Sequence, residues 1–330
     1  ILGEVVQERT LAIDNEFILS IDSLRDTWFK TSYLFDKEQS GADHAKARYE
    51  NYKTQPLNYT FNKGFSGKLS QFGLSKAHQK GKTKAAIIRE KGVNGDREMA
   101  YALYLAGFEV KDVHMTDLIS GREDLSDVQM IVFVGGFSNS DVLGSAKGWA
   151  GAFLYNPRAK EVLDRFYARK DTLSLGVCNG CQLMMELGLI YDGKDNHPTM
   201  KHNSSHKFES GFYTMRIPEN NSVMFSSLAG SELGAWVAHG EGKFKLTSEE
   251  ANQIVSTYSY EGYPGNPNGS EHSAAAVCSS NGRHLAIMPH IERSLFPWNW
   301  PYYNRMEDEV TPWIEAFINA KEWLRKQNPE

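Results

Sequence analysis

Thr172-Leu-Ser-Leu-Gly-Val-Cys178 runs without a break into Asn179-Gly-Cys-Gln-Leu-Met-Met-Glu-Leu-Gly-Leu189. The first run has the length and apolar character of a buried strand, and the second reads as a helix. The same alternation recurs upstream. Lys84-Ala-Ala-Ile-Ile-Arg89 is a short apolar strand, and Gly95 to Gly107 is an amphipathic helix closed by glycine. Glu109 to His114 gives a second strand, and Gln129 to Val134 a third that ends in Gly135-Gly136. Asn156 to Lys170 is helical, with Pro157 in its first turn. Near-continuous apolar strands alternating with helices imply a parallel sheet covered on both faces.

Beyond Asp192 the alternation gives way to strands and Gly/Pro/Asn turns as far as Ala276. A strand from Leu285 to Met288 returns to the core. Pro312 to Lys326 is a closing helix with Trp313, Phe317 and Leu324 on one side. At the other end, two strand-like runs (Leu-Ala-Ile from Leu11 and Phe-Ile-Leu-Ser-Ile from Phe17) precede a helix over Leu24 to Phe35. Asp36 to Lys82 is polar, with scattered aromatics and too few aliphatics for a core of its own, so it is expected to drape over the surface as a linker.

The bulk properties narrow the function. The chain has 330 residues, enough for a sizeable core without disulfides or a structural metal. Lys and Arg number 36 against 41 Asp and Glu, a net charge of −5, which argues against a nucleic-acid footprint. No apolar run is long enough for a membrane span, and the start lacks the layout of a signal peptide. Three cysteines exclude a disulfide scaffold and fit a reducing cytoplasm. With no initiator Met, the chain reads as a piece of something longer.

Three clusters carry candidate chemistry. Gly176-Val-Cys-Asn-Gly180, at a strand end and a helix start, is a nucleophile elbow with cysteine as nucleophile. The glycines leave room for a strained turn, and the helix N-terminus favours a thiolate. The Asn179 N–H would point at the reacting carbonyl. Cys178 and Cys181 also form a Cys-x-x-Cys, but a zinc site needs two further ligands, and Cys278 stands alone. Pro289-His290-Ile291-Glu292-Arg293 follows a strand and places a base beside an acid able to orient it. Val134-Gly135-Gly136-Phe137-Ser138, at another strand end, can expose N–H groups to an anion.

Together these runs resemble the class I (triad) glutamine amidotransferases, and more narrowly the glutaminase part of the phosphoribosylformylglycinamidine synthase family. Five further runs match that family: Arg89-Glu-Lys-Gly-Val-Asn, Asp112-Val-His-Met-Thr-Asp-Leu, Asp141-Val-Leu-Gly, Ala238-His-Gly-Glu-Gly, and Tyr263 to Ser270. The likeness covers Lys82 to Lys326. It implies a mixed, mainly parallel open sheet flanked by helices over residues 83–330. Residues 1–36 would be the tail of a preceding synthetase domain, and 37–82 a linker.

The resemblance also assigns roles. Cys178 would be the nucleophile, His290 the general base and acid, and Glu292 its orienting partner. Backbone N–H groups of Gly136 and Asn179 would form the oxyanion hole, and Gln182, His239 and Gly240 would hold substrate. The substrate would be L-glutamine. The ammonia would go to the synthetase half, which turns formylglycinamide ribonucleotide into its amidine. No metal or other cofactor is expected in this chain, since ATP and magnesium belong to that half. The sequence departs from the family at Ile291, where proline is usual, and at Asn139-Ser140, where Tyr-Gly is common. A thioesterase or dienelactone hydrolase would share the elbow, but those folds take acid and histidine from separate loops. A silent interaction module would not need the intact Cys, His and Glu.

Overall fold

A computed structural model of the chain describes residues 3–14, 16–74, 83–191 and 197–327. Residues 75–82, the end of the expected linker, lie outside the described residues, as do Asp192 to Asn196 where the alternation was expected to stop.

The chain opens with an antiparallel hairpin of β1 (Thr10–Ile13) and β2 (Phe17–Ser20), exposed along its length. Then come α1 (Ile21–Ser40) and α2 (Ala42–Glu50). The Ser20 side chain caps α1 by accepting from the Ser23 amide. The expected helix is therefore longer than its apolar spacing suggested, and the boundary set at residue 36 falls inside it. Residues 51–74 have little regular structure. Their aromatics pack onto the rest of the molecule: Tyr59 meets Trp300 at 4.6 Å, Phe61 stacks on Tyr303 at 5.4 Å, and Phe65 and Leu69 join the main core.

The alternating region follows the sequence closely. Its elements are β3 (Lys84–Arg89), α3 (Asp96–Leu105), β4 (Glu109–His114), α4 (Met115–Ser120), β5 (Met130–Phe133), α5 (Lys147–Leu154), α6 (Pro157–Ala168), β6 (Leu173–Val177) and α7 (Asn179–Glu186). The remaining elements are β7 (Met200–Lys201), β8 (Glu209–Ile217), β9 (Ser231–His239), β10 (Lys243–Phe244), β11 (Ile254–Tyr258), β12 (Ala274–Cys278), β13 (His284–Ile287) and α8 (Ile314–Gln327). Two short helices, α4 and α5, were not read from the sequence. At six and eight residues they are too short to show a helical period.

One nine-stranded sheet organises these elements, in the order β4-β3-β5-β6-β13-β12-β11-β8-β9. From β4 to β13 neighbouring strands are parallel. From β13 to β9 they are antiparallel. Helix α3 packs on β3 and β4 and meets α8, while α7 lies across β5, β6 and β13. The parallel strands are thus covered on both sides, which is why β5 and β6 are buried at every residue. In a parallel sheet all strands point one way, so the loops after β5, β6 and β13 gather at one end.

Candidate active site

Cys178 sits between β6 and α7 with φ 52° and ψ −106°, a conformation that strains any residue but glycine. Packing holds it there. A Cβ on Gly180 would land on the Phe133 carbonyl of β5, so α7 can lie this close only because that residue is glycine. The Cys178 amide also donates to the Ile287 carbonyl at 2.9 Å, tying the elbow to the end of β13.

That tie delivers the second group. Val177 pairs with Ile287 in the parallel register, so the chain leaving β13 passes the elbow and places His290 beside it. The His290 amide donates to the Trp236 carbonyl at 2.7 Å, which anchors the turn to β9. Its Nδ1 lies 2.6 Å from Glu292 Oε1, and both side chains are buried. A Cβ on Gly135 would lie 2.7 Å from His290 Cε1 and 3.4 Å from Cys178 Cβ, so sulfur and imidazole converge on one small space under the β5 loop. Burial pushes the His290 imidazole down, but the Glu292 carboxylate and the Cys178 sulfur outweigh it and raise it to about 9. Arg293 flanks this pair: its Nε lies 3.8 Å from Glu292 Oε1, while the guanidinium is bonded to Glu98 at 3.2 Å and Asn94 at 2.9 Å.

The β5 loop is pinned from the segment after β3. The Asn94 amide donates to the Gly135 carbonyl and the Phe137 amide to the Gly92 carbonyl, both at 2.9 Å. Gly136 between them has φ 131°, and a Cβ there would meet the backbone of Val93 and Asn94. The Asn179 side chain then ties the loop after β5 to α7. Its Oδ1 accepts from the Ser138 amide at 3.1 Å, and its Nδ2 donates to Gln182 Oε1 at 2.9 Å and to Asp141 at 3.4 Å. Gln182 Nε2 donates in turn to the Glu241 carbonyl at 2.8 Å.

The turn after β9 completes the site. His239 is buried, and burial together with nearby His290 lowers its imidazole to about 3, so it is neutral. Asn268 Nδ2 lies 3.2 Å from its Nε2. Asn203 holds the turn by donating to the His239 carbonyl at 2.7 Å and the Gly240 carbonyl at 2.9 Å. Across the mouth stand Asp141 and Glu241. Burial, with the charge of Glu241, raises the Asp141 carboxyl. The structure therefore brings together Cys178, His290, Glu292, Gly136, Asn179, Gln182, His239 and Gly240. Sequence reasoning gave no role to Asp141, Glu241, Asn203 or Asn268, or to the Asn179 side chain, although all of these but Asn203 lie in runs already singled out.

Residues 82–324 match the CobB/CobQ-like glutamine amidotransferase domain. The chain belongs to that family. The amidotransferase is 40% identical over 325 residues to the phosphoribosylformylglycinamidine synthase of Drosophila melanogaster, covering 91% of this chain and 24% of that protein. It is 44% identical over 269 residues to the Homo sapiens protein of the same name, covering 73% and 20%. The chain thus spans about a quarter of the length of these curated relatives. The solved structure of PurLQS from Thermotoga maritima is similar with a TM-score of 0.58 at 23% identity, over 74% of this chain and 100% of that one, a likeness of fold.

In this amidotransferase the second cysteine of Cys-x-x-Cys faces the core. Cys181 is fully buried, burial pushes its thiol well up, and both it and Cys178 are free thiols. Ile291, where the family usually has proline, is buried in the core. The other departure is more costly, because Asn139, Ser140 and Asp141 all have positive φ, at 52°, 58° and 49°. No described helix is long and apolar enough to cross a membrane.

Proposed function

We propose that this domain hydrolyses the side-chain amide of L-glutamine and that the ammonia serves the synthesis of formylglycinamidine ribonucleotide in purine biosynthesis. The observation that carries the reading is the buried His290–Glu292 pair, joined at 2.6 Å and delivered by β13 to a sulfur held on a positive-φ elbow. Cys178 sulfur attacks the amide carbonyl, and charge develops on the carbonyl oxygen. Backbone N–H groups of Gly136 and Asn179 receive that charge. Loss of one such donor costs on the order of 3 kcal/mol of transition-state stabilisation. His290, protonated at neutral pH, gives its proton to the departing ammonia, and the neutral ring then activates water against the thioester. Glu292 keeps the ring in place and balances its charge.

In this reading the Gln182, His239 and Gly240 wall holds the amino-acid end of glutamine, and the acids Asp141 and Glu241 lie where an ammonium group is favoured. The partner is the synthetase part that accounts for most of the relatives' length. ATP and magnesium act there, in the cytoplasm, and no metal or cofactor enters the glutaminase steps. By the resemblance, residues 1–36 are the tail of that part and 37–82 the tether, with the boundary lying within the single helix α1.

The test is treatment with an electrophilic glutamine analogue, followed by mass mapping. Modification should fall on Cys178 and be prevented by glutamine. Cys178→Ala should lose more than about 1,000-fold in glutamine turnover while keeping its far-UV spectrum. Labelling at another residue, or a Cys178→Ala variant with substantial activity, would reject the assignment.

A further inference from the structure

Behind the site, three segments that supply none of the reacting groups converge on one carboxylate. Glu209, the first residue of β8, is 1% exposed. Its Oε1 accepts from Ser205 Oγ at 2.5 Å and from the Tyr263 hydroxyl at 2.9 Å. Its Oε2 accepts from Arg48 Nη2 at 2.5 Å, and Arg48 is its cation among the described residues. Arg48 comes from α2. Its Nε donates to the Tyr263 hydroxyl at 2.9 Å and lies 3.4 Å from Asp36 of α1, and its guanidinium sits over the Tyr263 ring. Asp36 also holds the Lys207 ammonium and accepts from Ser40 at 2.8 Å. The α1–α2 pair therefore grips the 203–209 loop twice, at Lys207 and at Glu209.

That loop forms one wall of the pocket. Asn203 bonds the His239 and Gly240 carbonyls, and Glu209 pairs with His239 in the β8–β9 register. Phe208 lies against Phe137, 6.0 Å between ring centroids, one residue beyond Gly136. Its ring is also the group that a Cβ on Gly240 would meet, at 4.0 Å.

We infer that Arg48 is a positioning residue for glutamine binding, acting through Glu209 and the 203–209 loop from outside the matched domain, which begins at residue 82. The inference rests on the glutaminase reading for its kinetic test. The physical reason is the buried carboxylate. Without its cation it must take up a proton or draw in water, and either change disturbs the bonds to Ser205 and Tyr263 that fix the loop. Cys178, His290 and Glu292 make no contact with Arg48, so the chemical step is spared.

The experiment uses the full chain with Arg48→Gln and Arg48→Lys. Arg48→Gln should raise KM for glutamine by about tenfold with kcat within about twofold, and Arg48→Lys should recover most of the loss. Amide hydrogen exchange of residues 203–209 and 239–242 should quicken in Arg48→Gln and return toward normal in Arg48→Lys. An unchanged KM with unchanged exchange overturns the inference. So does a fall in kcat and melting temperature at constant KM, which marks Arg48 as structural. Should Arg48→Gln fail to fold, Ser205→Ala, which removes one bond to Glu209, is read by the same two measurements and the same outcomes. If the native chain neither turns over glutamine nor is labelled at Cys178, the glutaminase reading fails, and exchange alone still decides the role of Arg48.

Discussion

Glu292 does two things for His290: it fixes the ring through one hydrogen bond and supplies the charge that holds a proton on a buried imidazole. The consequence is a pH-dependent stability. His290 is raised from 6.5 to about 9 on folding. A raised group stabilises in full below about pH 6.5, and the contribution, at most on the order of 3 kcal/mol, is lost by about pH 9. Glu292→Gln removes the main cause of the raise. The stability gap between native chain and variant, from urea midpoints, should therefore be widest near pH 6 and narrow toward pH 9.5. A gap that stays constant across this range contradicts a protonated His290. Ser140 carries the opposite kind of cost, since its φ of 58° suits glycine, the residue common in the family there. Relief of left-handed strain, about 1–2 kcal/mol, exceeds the added chain entropy of glycine, about 0.5–1 kcal/mol. Ser140→Gly should raise stability by about 0.5–1 kcal/mol in chemical denaturation. A fall in stability would show that the strain is relieved locally.

The elbow works as an element because β5, β6 and β13 are neighbours and α7 crosses all three. Gly180 is where α7 touches β5, with no space for a methyl group before the Phe133 carbonyl. Gly180→Ala must lift the first turn of α7 and move both Cys178 and the Asn179 amide. Overpacking of this kind costs about 1–3 kcal/mol, and because it shifts the nucleophile, turnover should fall by more than about 100-fold. Gly240→Ala is the control for stability, since its methyl group meets only Phe208 at 4.0 Å. Equal urea midpoints and turnover for Gly180→Ala and the native chain would show that α7 does not fix the elbow.

At the scale of the molecule, the N-terminal hairpin and α1 expose Phe17, Ile18, Trp28 and Phe35. A proposed partner that covers this side can also act on the site, because α1 and α2 grip the pocket loop. The Gly135–Gly136 peptide offers a second handle. Turning it over breaks the bond from the Asn94 amide to the Gly135 carbonyl, a net cost of about 1 kcal/mol that docking can offset. The chain alone should accordingly be a slow glutaminase. Turnover should rise about fivefold when the synthetase part, ATP and acceptor are supplied in trans. Equal turnover in the two conditions would mean that the site is already assembled in the isolated chain.

The alternation from Lys84 to Leu189, the elbow at Cys178 and the His-x-Glu turn were legible because each is written in consecutive residues. Apolar runs, helix-closing glycines and a nucleophile flanked by glycines act over a few positions, whereas the neighbouring of β6 and β13 joins strands far apart in the chain. The matching motifs then supplied Gln182, His239 and Gly240. What the sequence did not disclose lies in contacts between distant positions. Asn179 reaches Ser138, 41 residues away, and Arg48 reaches Glu209 across 161. No periodicity marks such pairs, since a single asparagine or arginine reads as an ordinary polar residue until the sheet brings its partner within hydrogen-bonding distance. The anchors of the polar stretch after Asp36 were hidden for the same reason. Poor in aliphatics, it cannot form a core alone, yet its Arg48, Phe65 and Leu69 find theirs in the folded amidotransferase. The sequence by itself determined which groups could react, and the tertiary structure decided which neighbours hold them, because burial and charge pairing exist only once the chain has closed on itself.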